Sequence, residues 1–332
     1  MPELQLMIFT VIALALIFDF INGFHDTANA IATSVSTRAI RPGHAIVMAA
    51  ILNFAGAMYS TGVAKTIGGD IVSSAKQIDE LILIAALFGA VIWNLITWWF
   101  AVPSSSSHAL VGGLIGAVLV SVGAEGLNFF GIGKIVISLI ASPIIGIVSG
   151  CIIMTLLFHI FGRFSPSAIN QKFRKMQILS AASMAFSHGS NDAQKSMGII
   201  TLALLSGGYL EVFEVPFYVK VLAATAMAMG TAVGGWRIIK TIGGNIFKLE
   251  PISGFAADLN SSVVIFTATL LHLPVSTTHV VSGSIMGVGT AKRVNAVRWG
   301  VAQQMVLAWV LTIPCTAVMG ALAYLAAQNI FG

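Results

Sequence analysis

Pro103-Ser104-Ser105-Ser106-Ser107-His108 returns later in the chain as Pro274-Val275-Ser276-Thr277-Thr278-His279. Two hydroxyl-rich blocks, each opened by proline and closed by histidine, would mean little alone. Here their surroundings repeat with them at one constant spacing: Gly112 matches Gly283, Gly116 matches Gly287, and Pro143 matches Pro314. Upstream, Lys65-Thr66-Ile67-Gly68-Gly69-Asp70-Ile71 returns as Lys240-Thr241-Ile242-Gly243-Gly244-Asn245-Ile246. A weaker pair is Gly23-Phe24-His25-Asp26 with Gly189-Ser190-Asn191-Asp192. The blocks keep their order in both copies, so the chain reads as an internal duplication.

Both copies lie in apolar sequence. Hydrophobic residues make up 57% of the chain and charged residues 9%, against about 25% charged in a soluble domain. Apolar stretches of about 20 residues, the length a helix needs to cross the hydrocarbon layer, recur from end to end. They are too long and too uniform for barrel strands, and backbone polar groups in lipid must be satisfied internally. The expected class is an all-α polytopic transmembrane protein. Five apolar segments per half are expected, near 5–35, 43–64, 79–101, 104–123 and 134–161, then 177–206, 217–236, 255–273, 276–291 and 299–329. Residues 1–162 form the first repeat, 163–176 a polar linker and 177–332 the second repeat, all in one membrane domain. An odd number of crossings per half inverts the second copy. The inversion survives if the third and fourth segments of each half form a re-entrant helical hairpin.

Charge placement tests the inversion. With the N-terminus outside, Arg38, Arg41, Arg163, Lys172, Arg174, Lys175, Arg237, Lys240, Lys248, Lys292, Arg293 and Arg298 fall on the cytoplasmic side. Only Lys65, Lys76, Lys134 and Lys220 fall outside. That bias follows the positive-inside rule and predicts a multi-pass protein of the cell membrane with both termini extracytoplasmic. It also explains the net charge of +5 without nucleic acid. Glu3 stands where a leader peptide would carry basic residues, so the first stretch is expected to be a retained helix. Cys151 and Cys315 have no paired spacing and are read as packing residues.

Five ionisable residues fall inside the apolar segments: Asp19, Asp26, Asp192, Lys195 and Asp258. Such residues are costly in lipid and point to function; for Asp19 and Asp258 a structural hydrogen bond is an equal alternative. Asp26 and Asp192 hold matching places, where inverted repeats bring residues together near the bilayer midplane. Around them Asn22, Gly23, His25, Thr27 and Asn29, and Ser187, His188, Gly189, Ser190, Asn191 and Gln194, interrupt apolar helices. Local unwinding is expected there, freeing carbonyls for Na⁺ or H⁺. His25 and His188 are candidates for ligand or proton-relay roles; His108 and His279 are read as caps or supporting groups. No resident metal is expected, a site from His25, Asp26 and His188 being the alternative.

The two Pro-Ser/Thr-His blocks carry the anion argument. Proline ends one helix, and Ser or Thr before a new apolar run is an N-cap signature. Helix N-termini present unpaired N–H groups and a partial positive charge, so they bind anions without a basic side chain. Hydroxyls of Ser105, Ser106, Ser107, Ser276, Thr277 and Thr278 add neutral donors. Two such tips facing each other would surround a tetrahedral oxyanion.

Gly23-Phe24-His25-Asp26-Thr27-Ala28-Asn29-Ala30, Ser187-His188-Gly189-Ser190-Asn191-Asp192 and Pro274-Val275-Ser276-Thr277-Thr278-His279 resemble the signatures of the inorganic phosphate transporter (PiT) family, and the likeness spans nearly the whole chain. It implies a dimeric symporter for inorganic phosphate with co-transported H⁺ or Na⁺ and no tightly bound cofactor. Ser104, Ser105, Ser106, Ser107, Ser276, Thr277, Thr278, Asn29 and Lys195 would then hold phosphate. Asp26 and Asp192, with Asn22, Asn191, His25 and His188, would serve cation binding or coupling. Sodium-coupled members show Gly-Ala-Asn-Asp in both halves, whereas the first copy here is Gly-Phe-His-Asp. Lys195 stands where the second copy often has Asn, which favours proton coupling or uptake of a neutral metal–phosphate complex.

Sulfate is the nearest rival substrate. Phosphate at neutral pH keeps a proton to donate and sulfate does not, so an acceptor carboxylate beside the site would favour phosphate. An intramembrane enzyme is disfavoured because no Gly-x-Ser-x-Gly elbow is present and catalytic triads are not doubled by symmetry. A passive channel is the remaining alternative.

Overall fold

The computed structural model describes residues 2–235, 238–239 and 241–331. Trp236, Arg237 and Lys240 lie outside the described residues, as do the side chains of Glu3 and Lys76. The part of the charge bias that falls on Arg237, Lys240 and Lys76 therefore has no structural counterpart. Among the described residues the chain is helical, with one isolated bridge between Val72 and Leu127.

The first half holds α1 (Pro2–Ser36), α2 (Pro42–Ala57), α3 (Gly62–Gly69), α4 (Glu80–Trp99), α5 (Ser106–Ser121) and α6 (Phe129–Phe161). The second holds α7 (Pro166–Asp192), α8 (Gln194–Ser206), α9 (Phe217–Val233), α10 (Pro251–Leu270), α11 (Thr277–Lys292) and α12 (Trp299–Phe331). Four of these, α1, α4, α6 and α12, contain stretches long and apolar enough to cross a membrane. Their outward faces carry large apolar side chains such as Phe9, Ile137, Ile144, Val310 and Leu322, which suits contact with lipid. Local chemistry sets the helix starts. Proline opens α2 and α10 with its φ already helical, and Asp79 and Asn128 cap α4 and α6 by accepting from Ile82 and Gly131 N–H.

Packing partners come in reciprocal sets. Helix α6 lies on α11 while α12 lies on α5; α2 lies on α7 while α1 lies on α9; α12 also meets α4 as α6 meets α10. The hairpins α4–α5 and α10–α11 turn alike. Ala101 and His272, the residues after each first arm, both take positive φ, 55° and 58°. In each turn the next residue's N–H reaches back, Val102 to Thr97 and Leu273 to Ala268, the close of a Schellman-type cap. A non-glycine residue in this region costs roughly 1–2 kcal/mol, so both turns carry the same strain. The second arms, α5 and α11, are 16 residues each. At a rise of about 1.5 Å per residue each is ~24 Å long, shorter than the hydrocarbon layer, and both are buried almost throughout.

Three sequence expectations need correction. The segment expected over 43–64 breaks between α2 and α3, which meet at 71°. The polar 163–176 stretch is mostly helix: Pro166 opens α7, and Phe173, Gln177, Ser180 and Ala181 repeat at helical spacing and are buried. Its basic residues cover only the exposed side of one long helix. The unwinding expected around Asp26 and Asp192 is absent from α1, which runs unbroken through both motif ends, and shrinks to one break at Ala193 in the second copy. The glycines serve close approach instead. A Cβ on Gly23 would lie 2.4 Å from Met227 O, and one on Gly189 would lie 2.1 Å from Asn53 O.

Candidate functional site

Close crossings at glycine seat α1 on α9 and α7 on α2; the polar stretches of α1 and α7 lie side by side, and the tip of the α10–α11 hairpin reaches both. Asp26 and Asp192 face one another through shared partners. Thr277 Oγ1 lies 3.1 Å from Asp192 Oδ2 and 3.5 Å from Asp26 Oδ2. Thr278 Oγ1 donates to Asp26 Oδ1 at 3.3 Å and accepts from Asn29 Nδ2 at 2.9 Å. Asn22 Nδ2 donates to Asp192 Oδ2 at 3.4 Å. Lys195 is fully buried, and its ammonium donates to Asp192 Oδ1 at 2.6 Å. One turn of α-helix separates the two residues, so they share a face; the break at Ala193 leaves that geometry intact.

Both motif histidines touch the carboxylates. His25 Nδ1 lies 2.8 Å from Asp26 Oδ1, and its Nε2 lies 3.4 Å from Thr97 Oγ1. For His188 the hydrogen-bond chain fixes the tautomer. Thr231 Oγ1 donates to Met227 O and therefore accepts from Asn53 Nδ2. Asn53 Oδ1, an acceptor only, then faces His188 Nδ1 at 3.0 Å, so Nδ1 carries the proton. In neutral His188 the bare Nε2 points at Asp192 Oδ2, 3.5 Å away, and at Asp26 Oδ2, 4.0 Å away. Three acceptors aimed at one point repel each other unless something positive lies between them. Ligand atoms of Asp26, His188 and Asp192 all lie within 4.8 Å of one another, close enough for a single cation to touch all three.

The two hairpin tips differ in what they touch. Ser276 caps α11, accepting from His279 N–H, and so frees Thr277 and Thr278 to face the carboxylates. Ser105 caps α5 in the same way and also pairs with His108 Nδ1 at 2.7 Å. Ser104 donates to Thr97 and Ser107 donates to Val275 O at 2.9 Å, so these hydroxyls tie the first tip to its neighbours. Ser106 is buried at the first turn of α5. The tips adjoin: His108 and His279 rings are 4.6 Å apart, and Trp309 stacks on His279 at 3.9 Å. Asn191 supports the second tip, its Oδ1 accepting from Val275 N–H and its Nδ2 reaching Leu273 O.

Sequence reasoning missed Asn53, Thr97, Thr231 and the anchoring role of Gln194. Gln194 Oε1 accepts from Val63 and Ala64 N–H at 2.8 and 3.1 Å, closing the free N-terminus of α3. Asn53 is a single amide in an apolar helix, and that is the signal that marks it. Capping energetics give a direct test of the tip. Ser276→Ala is expected to lower stability by about 1 kcal/mol, read as a drop in thermal midpoint in detergent, with Ser276→Asp restoring it.

A model of the phosphate transporter family matches residues 22–320. The chain is 50% identical over its whole length to the full "Probable low-affinity inorganic phosphate transporter" of Bacillus subtilis (strain 168). It is 47% identical to the protein of the same description from Rhizobium meliloti (strain 1021), with 96% of this chain and 95% of that one aligned. Among solved structures, one titled "The sodium-dependent phosphate transporter" superposes with a TM-score of 0.88 at 26% identity, covering 98% of this chain and 100% of that one.

Proposed function

Since the chain belongs to the phosphate transporter family, a family of transport proteins rather than enzymes, we propose that it is a secondary symporter carrying inorganic phosphate together with H⁺ or Na⁺ across the cell membrane. One observation carries the reading. Two buried carboxylates, Asp26 and Asp192, share Thr277 as a partner, and among the described residues the buried Lys195 ammonium pairs with Asp192 alone. With neutral imidazoles the cluster bears one negative charge in excess, beside the hydroxyl-rich tips that suit an oxyanion. Like unit charges ~4 Å apart repel by about 4 kcal/mol at an effective dielectric of 20. Phosphate therefore needs a cation to enter with it, and Asp26, Asp192 and His188 supply the ligands. Binding energy of each for the occupied state makes the two ligands cooperative, which is the thermodynamic core of symport.

In this reading Asn29, Thr277, Thr278, Lys195 and, from the first tip, Ser105 and Ser106 replace phosphate's hydration. Ser104 and Ser107 hold that tip in place, Asn22 and His25 hold the carboxylates, and Asn191 holds the second tip. The acceptors near Thr277 and Thr278 favour phosphate, which retains a proton to donate, over sulfate. The carboxylate–imidazole–carboxylate triangle also suits a divalent metal ion travelling as a neutral phosphate complex, a second reading supported by that geometry alone. Reciprocal packing of matched helices and the twin strained turns support two inverted repeats. The positive-inside bias supports extracytoplasmic termini, and the family resemblance supports a homodimer.

Radiolabelled phosphate uptake into proteoliposomes tests the reading. Saturable accumulation above equilibrium under an imposed H⁺ or Na⁺ gradient, resistant to a tenfold excess of sulfate, is expected. Gradient-independent equilibration would indicate a channel, and equal competition by sulfate would reassign the substrate.

A further inference from the structure

One face of α1 is polar along most of its length. Asp19, Asn22, Asp26, Asn29, Thr33 and Thr37 recur at spacings of three and four residues, and all six are buried. The middle of this stripe is the site described above. Its two ends each hold a further buried carboxylate that the site does not use.

At one end Asp19 is 0% exposed and both its oxygens lack a hydrogen-bond partner. Its polar surroundings are Ser196, whose hydroxyl is also unpartnered, then the Lys195 ammonium and the Asp192 carboxylate. Lys195 is already bound to Asp192, so Asp19 has no counter-ion of its own. At the other end Thr33 donates to Asp258 Oδ1 at 2.5 Å, leaving Oδ2 without a partner. Thr37 Oγ1 donates to Gln177 Oε1 at 2.7 Å, which turns the unpartnered Gln177 amide nitrogen toward Asp258; Ser180 is a further polar neighbour, and among the described residues no charged group faces this carboxylate. Asp19 and Thr33 each lie seven positions from Asp26, so each end of the stripe is ~10 Å from Asp26 along one helix face and the two ends are ~21 Å apart.

We infer that Asp19 and Asp258 are proton-carrying stations that flank the phosphate site along α1, one loading the coupling proton and the other releasing it. The neighbours decide between a proton and a metal cation. At one station the Lys195 ammonium lies near the Asp19 carboxylate and its positive charge repels a metal ion; at the other, Thr33 and Gln177 present hydrogens toward Asp258, which repel one too. A buried, uncompensated carboxylate is costly, and a proton neutralises it without displacing those donors. In the cycle, protonated Asp19 gives its proton, by way of water in the open site, to bound HPO₄²⁻, leaving an Asp19 carboxylate and H₂PO₄⁻. On the far side H₂PO₄⁻ returns the proton to the Asp258 carboxylate and leaves as HPO₄²⁻, Asp258 then releases the proton to water, and the Asp19 carboxylate takes up a proton from water on the entry side to reset the cycle. One proton and one HPO₄²⁻ cross per turn.

The inference rests on the symport reading and deepens it from H⁺ or Na⁺ to H⁺. Asp19→Asn and Asp258→Asn, reconstituted separately, are each compared with wild type in phosphate–phosphate exchange without a gradient and in accumulation driven by a pH gradient. Exchange within about twofold of wild type, with accumulation reduced at least tenfold, is the expected result, and Asp→Glu at either position should recover most of the accumulation. Retained accumulation would make the carboxylates structural, and loss of exchange alongside accumulation would place them in the phosphate site; either overturns the inference. Wild-type accumulation driven by Na⁺ alone also overturns it while leaving transport intact. No accumulation under any gradient sinks the transport reading itself.

Discussion

Asp192→Asn is expected to reduce gradient-driven phosphate accumulation by at least ~100-fold, a loss of about 2.7 kcal/mol or more in coupling. The carboxylate holds Lys195 at 2.6 Å, meets Thr277 at 3.1 Å and faces His188 Nε2 at 3.5 Å. Neutralising it removes a ligand from the proposed cation site and leaves an ammonium buried without its anion. Orphaning a buried charge costs about 3–5 kcal/mol, so a folding defect must be separated from a transport defect. The double variant Asp192→Asn/Lys195→Met removes both charges and should recover the thermal midpoint without recovering accumulation. Asp26→Asn should lose transport to a similar degree with a smaller stability loss, because its partners His25, Thr278 and His188 include no obligate cation. Accumulation near wild type in either single variant would remove the carboxylates from the coupling machinery.

Gly189→Val is expected to be the most damaging packing change. A Cβ at Gly189 would meet Asn53 O at 2.1 Å and Asn53 Cα at 2.6 Å, and both are backbone atoms that cannot swing aside. Overpacking costs about 1–3 kcal/mol, occasionally more. This crossing also sets the His188–Asn53–Thr231 chain that aims His188 at the carboxylates. Loss of monodisperse protein, or a fall of many degrees in thermal midpoint, is the expected outcome in detergent. Gly43→Ala, where a Cβ meets nothing within 4 Å, is the control and should leave the midpoint unchanged. A stable, active Gly189→Val protein would mean that α2 and α7 can separate freely, against the packing described.

Much of the site was legible in the sequence because it is built from chemistry that apolar helices otherwise exclude. Asp26, Asp192 and Lys195 stand out in a chain with few charges, and duplication of the Pro-Ser/Thr-His block marked both tips. The duplication did not show that the copies have diverged in use. Thr277 and Thr278 reach the carboxylates, while Ser104 and Ser107 are spent on Thr97 and Val275, a difference set by tertiary packing. Glycine misled for a related reason. In sequence its flexibility suggested unwinding, but Gly23 and Gly189 sit where another helix's backbone comes within a side chain's width, and the helix hydrogen bonds survive. Asn53, Thr97 and Thr231 were invisible because a lone amide or hydroxyl in an apolar helix has no periodic signature. The basic stretch before Gln177 read as a linker because polarity outweighed the spacing of its few buried residues.

In the proposed function the two hairpin tips and the polar faces of α1 and α7 converge on a single phosphate. An experimental structure of the phosphate-bound protein tests it most directly. It should show the anion in contact with Thr277 or Thr278, with Asn29 or Lys195, and with the Ser104–Ser107 tip, so that both halves ligate one ion. A phosphate held by one half alone, or bound away from Asp26 and Asp192, would rule out a site shared between the halves.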